Sequence, residues 1–575
     1  IDDATGLPVP TIAVATNGGI SVIKDDGTVS SKTITGGIAN HYIDFLDNGN
    51  IVVEQGYQYT TVLLDYTAES QAYTSSLSNS EQYTHLNSGW EELRFPYLAV
   101  GGSGVSGNYK LTSFKNNFAS AHSGGLVLVD RNAPSPSNGL IAGITTSYNT
   151  GWMHGNIKGA FLSDTDTTNV SPSSNLVSNG DFADTNLSSY FTVIDSDANG
   201  GSEANSTPYV NGSNQVVMGN SAQLKTSYNL VAGRVYKLSY DCVNQSISAQ
   251  RLGIYVPSGG SLNFDDSITA GGTNTYYYTA TSTGSTLIEW RSRGGGWGTY
   301  DNFTIIESTE LDRSVNNKGL QVFGTITKSA VATGADLVAY SGFSANNFLR
   351  QPYNSDMEFG TGDFYMMAWI KSTDSTNNQK IIARDLNSAN RLQLYTAGTK
   401  IQIYTEDAGS ASYLNSTSDF ATGEWICVIV GRKSSILQIY VNGEYESGTG
   451  SNTRIARDLS FGAGTDMEIG RSNTGTTNYF RGSIALARVG AGFPSPEQIK
   501  KIYEDEKHLF QENAKATLYG SSDAVTALAY DDDTDLLHVG TSSGRSEFQG
   551  LRRINNTTTA VTTAITAQNE FIIEQ

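Results

Sequence analysis

Cysteine is almost absent from this 575-residue chain, which has only Cys242 and Cys427. The two fall in different stretches, which argues against a disulfide framework, so the fold must be held by hydrophobic cores. Basic residues are also scarce, 36 Lys plus Arg against 56 Asp plus Glu, for a formal net charge of −20. Such a field repels nucleic acid and anionic membranes, and neither is expected as a partner. It suits an exterior protein, one that holds calcium, or plain colloidal solubility. No apolar run approaches the roughly 20 residues of a membrane helix, so membrane insertion is not expected. The six histidines never pair at metal spacing, and no His-Glu-x-x-His, Gly-x-Ser-x-Gly or phosphate-binding loop occurs. A glycosidase would need two carboxylates roughly 5–9 Å apart, and the sequence gives no way to choose a pair. No catalytic residue is assigned, and the chain reads as non-enzymatic. No secretory leader is legible, and the chain opens on Ile1 rather than Met, which leaves a fragment or a processed product open.

What is present points one way. Gly (60) and Tyr (31) are abundant, with much Ser, Thr and Asn, a composition of many short strands and tight turns. The expected fold class is all-β and multidomain, with three or four domains for this length. Ile12, Val14 and Thr16 alternate before a Gly18-Gly19 turn. The pairs 44–54 (DFLDNGNIVVE) and 529–540 (AYDDDTDLLHVG) look alike and resemble the outer-to-inner strands of β-propeller blades. Residues 1–165 and 515–575 are therefore read as parts of one propeller-like β platform, its ring closed by the C-terminal blade; two separate small β units are the alternative. The acidic run 531–535 reads as a solvated turn.

Two modules lie between. Residues 174–307 open with 175–182 (NLVSNGDF) and close with 300–306 (YDNFTII). This frame resembles the galactose-binding-like jelly rolls, including the carbohydrate-binding modules of bacterial xylanases. That resemblance implies a structural calcium near the chain ends, with Asp301 and then Asp181 as ligands. Separately, Asp195, Asp197 and Asn199, followed by Gly200, match the opening of an EF-hand loop, but Ser206 stands where the bidentate Glu belongs; a polar hairpin turn is the alternative. Sugar binding needs flat aromatics beside amide, carboxylate or guanidinium groups. Trp290 and Trp297 bracket Arg291 and Arg293 around three glycines, and Tyr276 and Tyr278 precede them. These six are the candidate glycan-binding residues, although strand alternation must turn some of the aromatics inward.

Residues 308–510 carry 363–371 (DFYMMAWIK), 424–444 (EWICVIVGRKSSILQIYVNGE) and 467–489, in that order. The succession resembles the laminin-G-like, concanavalin-A-like jelly rolls, which bind surfaces and usually glycans. Trp369 and Trp425 sit in apolar strands and are expected in the core. In 392–394 and 401–403, Leu and Ile face one way and Gln the other. Ser495, Pro496 and Gln498 predict a capped helix with Ile499, Ile502 and Tyr503 on its apolar side. Where the family often writes an acidic pair, Ala485 and Leu486 stand instead, which moves the expected ligand site to the preceding module. Asp312 keeps the family's lead-in pattern and is expected to be structural.

Finally, 148–161 (YNTGWMHGNIKGAF) resembles segments of tail-appendage proteins of marine tailed phages. With the two jelly rolls, this implies a virion tail fibre or spike: a homo-oligomer that contacts other tail proteins and recognises host surface polysaccharide by avidity. A secreted or cell-surface bacterial adhesin and a polysaccharide depolymerase are the alternatives.

Overall fold

The structure, a computed structural model, describes residues 9–16, 19–35, 40–46, 51–55, 59–63, 73–74, 83–86, 90–94, 110–114, 117–131, 139–195, 207–231, 235–246, 251–256, 261–263, 272–280, 283–293 and 296–575, the last without 308, 315, 317, 454, 456, 463–464 and 569–570. It is all-β, with one α-helix among the described residues, Pro496–Glu506. Among the described residues no helix is long and apolar enough to cross a membrane. The chain divides into a smaller compact unit, Pro172–Leu311, and a larger one built from the chain on both sides of it.

The smaller unit is a sandwich of two five-stranded sheets. One contains Gln223–Leu230, Gly284–Arg293 and Arg251–Val256; the other contains Val216–Gly219, Trp297–Glu307, Val235–Gln245 and Gly272–Thr279. Phe182, Tyr236, Trp290, Tyr300 and Phe303 fill the space between them. The two end motifs clasp each other. Asn175 Oδ1 accepts from Ile305 N at 2.9 Å and its Nδ2 donates to Phe303 O at 3.1 Å. Phe303 N donates to Gly180 O at 2.8 Å, and a Cβ on Gly180 would sit 2.1 Å from Phe303 O. The frame is therefore a closure device: each motif satisfies backbone groups of the other.

In the larger unit, two eight-stranded sheets form the second sandwich. Phe364–Lys371 is buried along nearly its whole length because both its faces are covered. Phe364, Met366, Ala368 and Ile370 point between the sheets. Tyr365, Met367 and Trp369 point the other way, into a core shared with the helix and the C-terminal strands. Trp369 is buried and stacks on Phe510 at 4.2 Å, while half-buried Trp425 packs against the same cluster. The sandwich recruits Ile157–Phe161, which pairs with Ser483–Ala491, so a strand from before the smaller unit belongs to the sheet made after it. Buried Asp312 ties the two parts, accepting from Ala160 N and Ser314 N, both at 2.9 Å. The helix starts as expected: Ser495 Oγ accepts from Gln498 N, Gln498 Oε1 accepts from Ser495 N at 2.9 Å, and Ile499 and Ile502 are buried.

The remaining strands form small, mostly antiparallel sheets, among them Lys110–Phe114 through Met153–His154 and Val525–Asp531 through Arg552–Asn556. These two pack on each other in one core. Among the described residues no ladder joins the first sheet to the last, so the expected closed ring is not formed; side-chain packing joins the Lys110–Phe114 sheet to the C-terminal one.

The motif 148–161 is the knot of this unit. Asn149 Nδ2 donates to Ala516 O and Leu551 O at 2.8 and 3.0 Å. Gly151, at φ +62°, lets the backbone approach so closely that a Cβ would meet Glu506 Oε1 at 2.5 Å. Glu506 and Arg488 are almost fully buried, 0% and 1% exposed, and their bidentate pair spans 2.6 and 2.7 Å. Glu506 also accepts from Trp152 N at 2.8 Å and Trp369 Nε1 at 2.7 Å.

His154 lies in the same core with neither ring nitrogen hydrogen-bonded. Burial, and then the charge of Lys433, lower its pKa from 6.5 to about 4. The unfolded chain takes up this proton below about pH 6.5 and the folded chain only near 4, so its contribution is complete above 6.5 and is lost as pH falls through that window, by up to about 3 kcal/mol. Thermal midpoints measured at neutral and mildly acid pH should fall less in His154→Leu than in the parent; equal falls would rule His154 out as the cause.

Candidate functional site

The six residues expected to bind glycan do not form one surface. Trp290 is 0% exposed; it stacks on Phe303 with centroids 5.0 Å apart and meets Phe191 and Tyr228 edge-on. It is the centre of the smaller unit's core and is removed from any ligand surface. Trp297 stands half-buried on the opposite sheet, its N donating to Ser246 Oγ at 2.7 Å. Tyr276 and Tyr278 are half-buried against the core, and Tyr276 OH accepts from Asn274 Nδ2 at 2.7 Å. Arg291 is pinned: Nε donates to Glu289 at 2.5 Å and the guanidinium lies 4.2 Å over the Tyr255 ring. The side chain of Arg293 lies outside the described residues. Strand alternation says which residues share a face, but not which face is inside, and that choice went against Trp290.

The calcium candidates separate as well. Asp197 and Asn199 lie outside the described residues, and Asp195 accepts from Thr207 Oγ1 at 2.6 Å. Asp301 is paired across the strands with Asp241. Burial chiefly, and the negative charges of Asp241 and Asp181, hold its carboxyl above the usual range. Among the described residues no group of three or more His, Cys, Asp or Glu is arranged to hold a metal.

A more coherent arrangement lies on the larger unit, on the outer face of the sheet containing Lys380–Asn387, Asn390–Ala397, Lys400–Asp407 and Ser410–Asp419. Leu392, Leu394, Ile401 and Ile403 point into the sandwich. Alternation therefore lines up Gln393 and Tyr395, Gln402 and Tyr404, then Tyr413 and Asn415 on the other face. The registers place Tyr395 opposite Gln402, Gln393 opposite Tyr404 and Tyr404 opposite Tyr413, so an amide or a second tyrosine stands across from each tyrosine.

The polar groups under these rings are already oriented. Buried Gln393 accepts from Lys380 Nζ at 2.7 Å and donates to Asp385 Oδ2 at 2.6 Å. Asp385 Oδ2 also accepts from Ser472 Oγ at 2.5 Å and Thr474 Oγ1 at 2.7 Å, while Oδ1 is buried without a partner. Burial raises the Asp385 carboxyl above its usual range. Lys380 Nζ sits 3.7 Å over the Tyr395 ring. Burial pulls its pKa down to about 8, a fall that Asp385 opposes. Gln402 Nε2 donates to Asn415 Oδ1, and Tyr404 OH donates to Glu406 Oε2 at 2.9 Å. Tyr395, Tyr404 and Tyr413 remain half-buried. The face thus offers ring surface above amides and carboxylates of fixed direction, which can stack on C–H groups and orient hydroxyls. The Leu-Gln-Leu and Ile-Gln-Ile alternation was the sequence signal for it; the contributions of Ser472 and Thr474, some ninety positions along the chain, had none.

Residues 346–500, which contain this face, match the sequence family described as the concanavalin A-like lectin/glucanases superfamily, of laminin G type. Among solved structures, the chain is similar to domain 4 of AbnA, an extracellular GH43 arabinanase from Geobacillus stearothermophilus, in complex with arabinotriose: 15% identity, 33% of this chain and 89% of that one, TM-score 0.27. It is also similar to the CBM40 of the Ruminococcus gnavus IT-sialidase bound to α2,3-sialyllactose (14% identity, 25% and 83%, TM-score 0.22) and to the SAP-like pentraxin of Limulus polyphemus (14%, 27% and 80%, 0.21). No curated protein matches the chain in sequence.

Proposed function

We propose that this is a non-catalytic glycan-recognition protein of a tailed-phage tail fibre or spike, and that its principal sugar-binding surface is the Tyr395–Gln402–Tyr404 face of the second sandwich. The observation that carries the binding role is the alternation of tyrosines and oriented amides across adjacent strands, in a domain whose family includes lectins. The virion role draws on the resemblance of 148–161 to phage tail-appendage segments and on the multi-module build. Host polysaccharide and neighbouring tail proteins are the partners, and linked copies of the chain supply avidity.

The intact chain should bind host polysaccharide without releasing reducing ends. Tyr395→Ala and Tyr404→Ala should each weaken binding about fivefold, in line with a lost aromatic stacking contact of about 1 kcal/mol. Unchanged binding in both variants sinks this face, and an empty glycan array with no whole-cell binding sinks the recognition role. Peptides of this chain should appear in purified virions; their absence there would turn the reading toward a bacterial adhesin.

Calcium at Asp301 and Asp181 belongs to the same proposal, because a cation would relieve the repulsion between these carboxylates and Asp241. Calcium should then raise the melting temperature of the smaller unit relative to chelator; identical melts remove it.

A further inference from the structure

A cleft of about 380 Å³ opens in the larger unit, well away in sequence from every residue discussed as a binding site. Its walls come from four parts of the chain: the sheet at Lys110–Phe114 to Gly125–Asp130, Trp152, the helix, and the C-terminal sheet that begins at Val525–Asp531. We propose that this cleft is a second saccharide site, one that takes an uncharged sugar ring on the stacked Phe114–Tyr530 pair with its hydroxyls directed to Asp130 and Asp505.

The apolar wall is preset. Phe114 and Tyr530 stack with centroids 4.9 Å apart at 28°, and the hydroxyl of Tyr530 is anchored to Asp535 Oδ1 at 2.8 Å. The polar wall is built around one lysine. Lys501 Nζ lies 2.8 Å from Asp505 Oδ2 and 3.4 Å from Asp130 Oδ2, and it sits 5.2 Å over the Trp152 ring. Trp152 Nε1 donates to the same Asp505 oxygen at 2.8 Å. These donors all converge on one oxygen of each carboxylate, so the other oxygens can accept from a ligand's hydroxyls. Asp130 needs such donors: burial, the largest influence, lifts its carboxyl above the usual range despite Lys501.

The chemistry selects the ligand class. The volume falls within the roughly 300–1,000 Å³ of small-ligand sites and is too small for a folded segment. Three carboxylates against one lysine disfavour an acidic sugar. A flat apolar wall facing acceptors suits a ring with C–H groups on one side and hydroxyls at its edge, and a hydrated cation has no use for that wall. The site is independent of the Tyr395 face, so either can fail alone.

The test is saturation-transfer NMR on the full chain with methyl glycosides of glucose, galactose, mannose and N-acetylglucosamine as probes, with methylguanidinium as the cationic control. Ring C–H protons of at least one glycoside should receive saturation in the parent and in Tyr395→Ala. In the Tyr395→Ala background the affinity should fall about tenfold in Phe114→Leu and in Asp130→Asn, both partly buried positions whose melting curves serve as folding controls. Transfer that survives both cleft substitutions in the Tyr395→Ala background, transfer lost in Tyr395→Ala alone, no transfer to any glycoside, or binding of methylguanidinium alone overturns the proposal. If a cleft variant fails to melt cooperatively, the glycoside affinity of Lys501→Met, which keeps the stem and removes the charge, decides in its place: unchanged affinity overturns the site.

Discussion

Replacing Glu506 with alanine is expected to destabilise the larger unit by about 3–5 kcal/mol, the cost of leaving a buried charge without its partner. The magnitude follows from how much converges on this carboxylate. It holds both nitrogens of the Arg488 fork and receives N–H groups from Trp152 and Trp369. Removal strands all of them in a site closed to water, since both charged side chains are no more than 1% exposed. Glu506→Gln keeps an acceptor for the tryptophans but leaves the guanidinium uncompensated, so it should fall between. Replacing the pair together, Arg488→Met with Glu506→Leu, should restore much of the loss, because apolar groups of similar size need no partner. Denaturant midpoints of the three variants check the order; a Glu506→Ala change below about 1 kcal/mol would mean that water reaches the pair.

Trp290→Ala should unfold the smaller unit's core at a cost of about 3–5 kcal/mol, through the cavity left between Phe303, Phe191 and Tyr228. Trp290→Phe, which keeps the stacking on Phe303, should cost clearly less. The larger unit's transition should not move, because Trp290 packs only within the smaller unit's core. Calorimetry of the full chain separates the two transitions. A Trp290→Ala chain that melts like the parent but loses glycan would reinstate this residue as a ligand contact. The contrast matters for reading any scan of tryptophans here, since lost binding by this variant would otherwise be scored as a lost contact.

Much of the architecture was legible from local chemistry. The capped helix, the inward Leu and Ile pairs and the burial of Trp369 follow from short-range patterns that tertiary packing had no reason to override. Asp312 behaved as a structural residue because a carboxylate surrounded by backbone N–H groups has its bonds satisfied locally. The sites were less legible. Trp290 and Trp297 are seven positions apart, yet they sit on different sheets, and only the pairing of distant strands reveals this. The ring closure failed for the same reason: blade-like hairpins specify their own turns, not which edges will meet. The Tyr395 face was half visible, as glutamines alternating with aliphatics. The Trp152 cleft was invisible because its walls are drawn from residues near 114, 152, 505 and 530, which no spacing rule connects.

The clasp between Asn175, Gly180 and Phe303 has a consequence for how such a chain changes over time. The two ends of the smaller unit lie side by side, with Ser173 Oγ donating to Glu307 O at 2.8 Å where the chain enters and leaves. A cassette bounded in this way can be traded for another β-sandwich by recombination at the two flanks while the Arg488–Glu506 knot and its sheets stay intact. The smaller unit can then be replaced wholesale, without residue-by-residue remodelling of the unit that carries it.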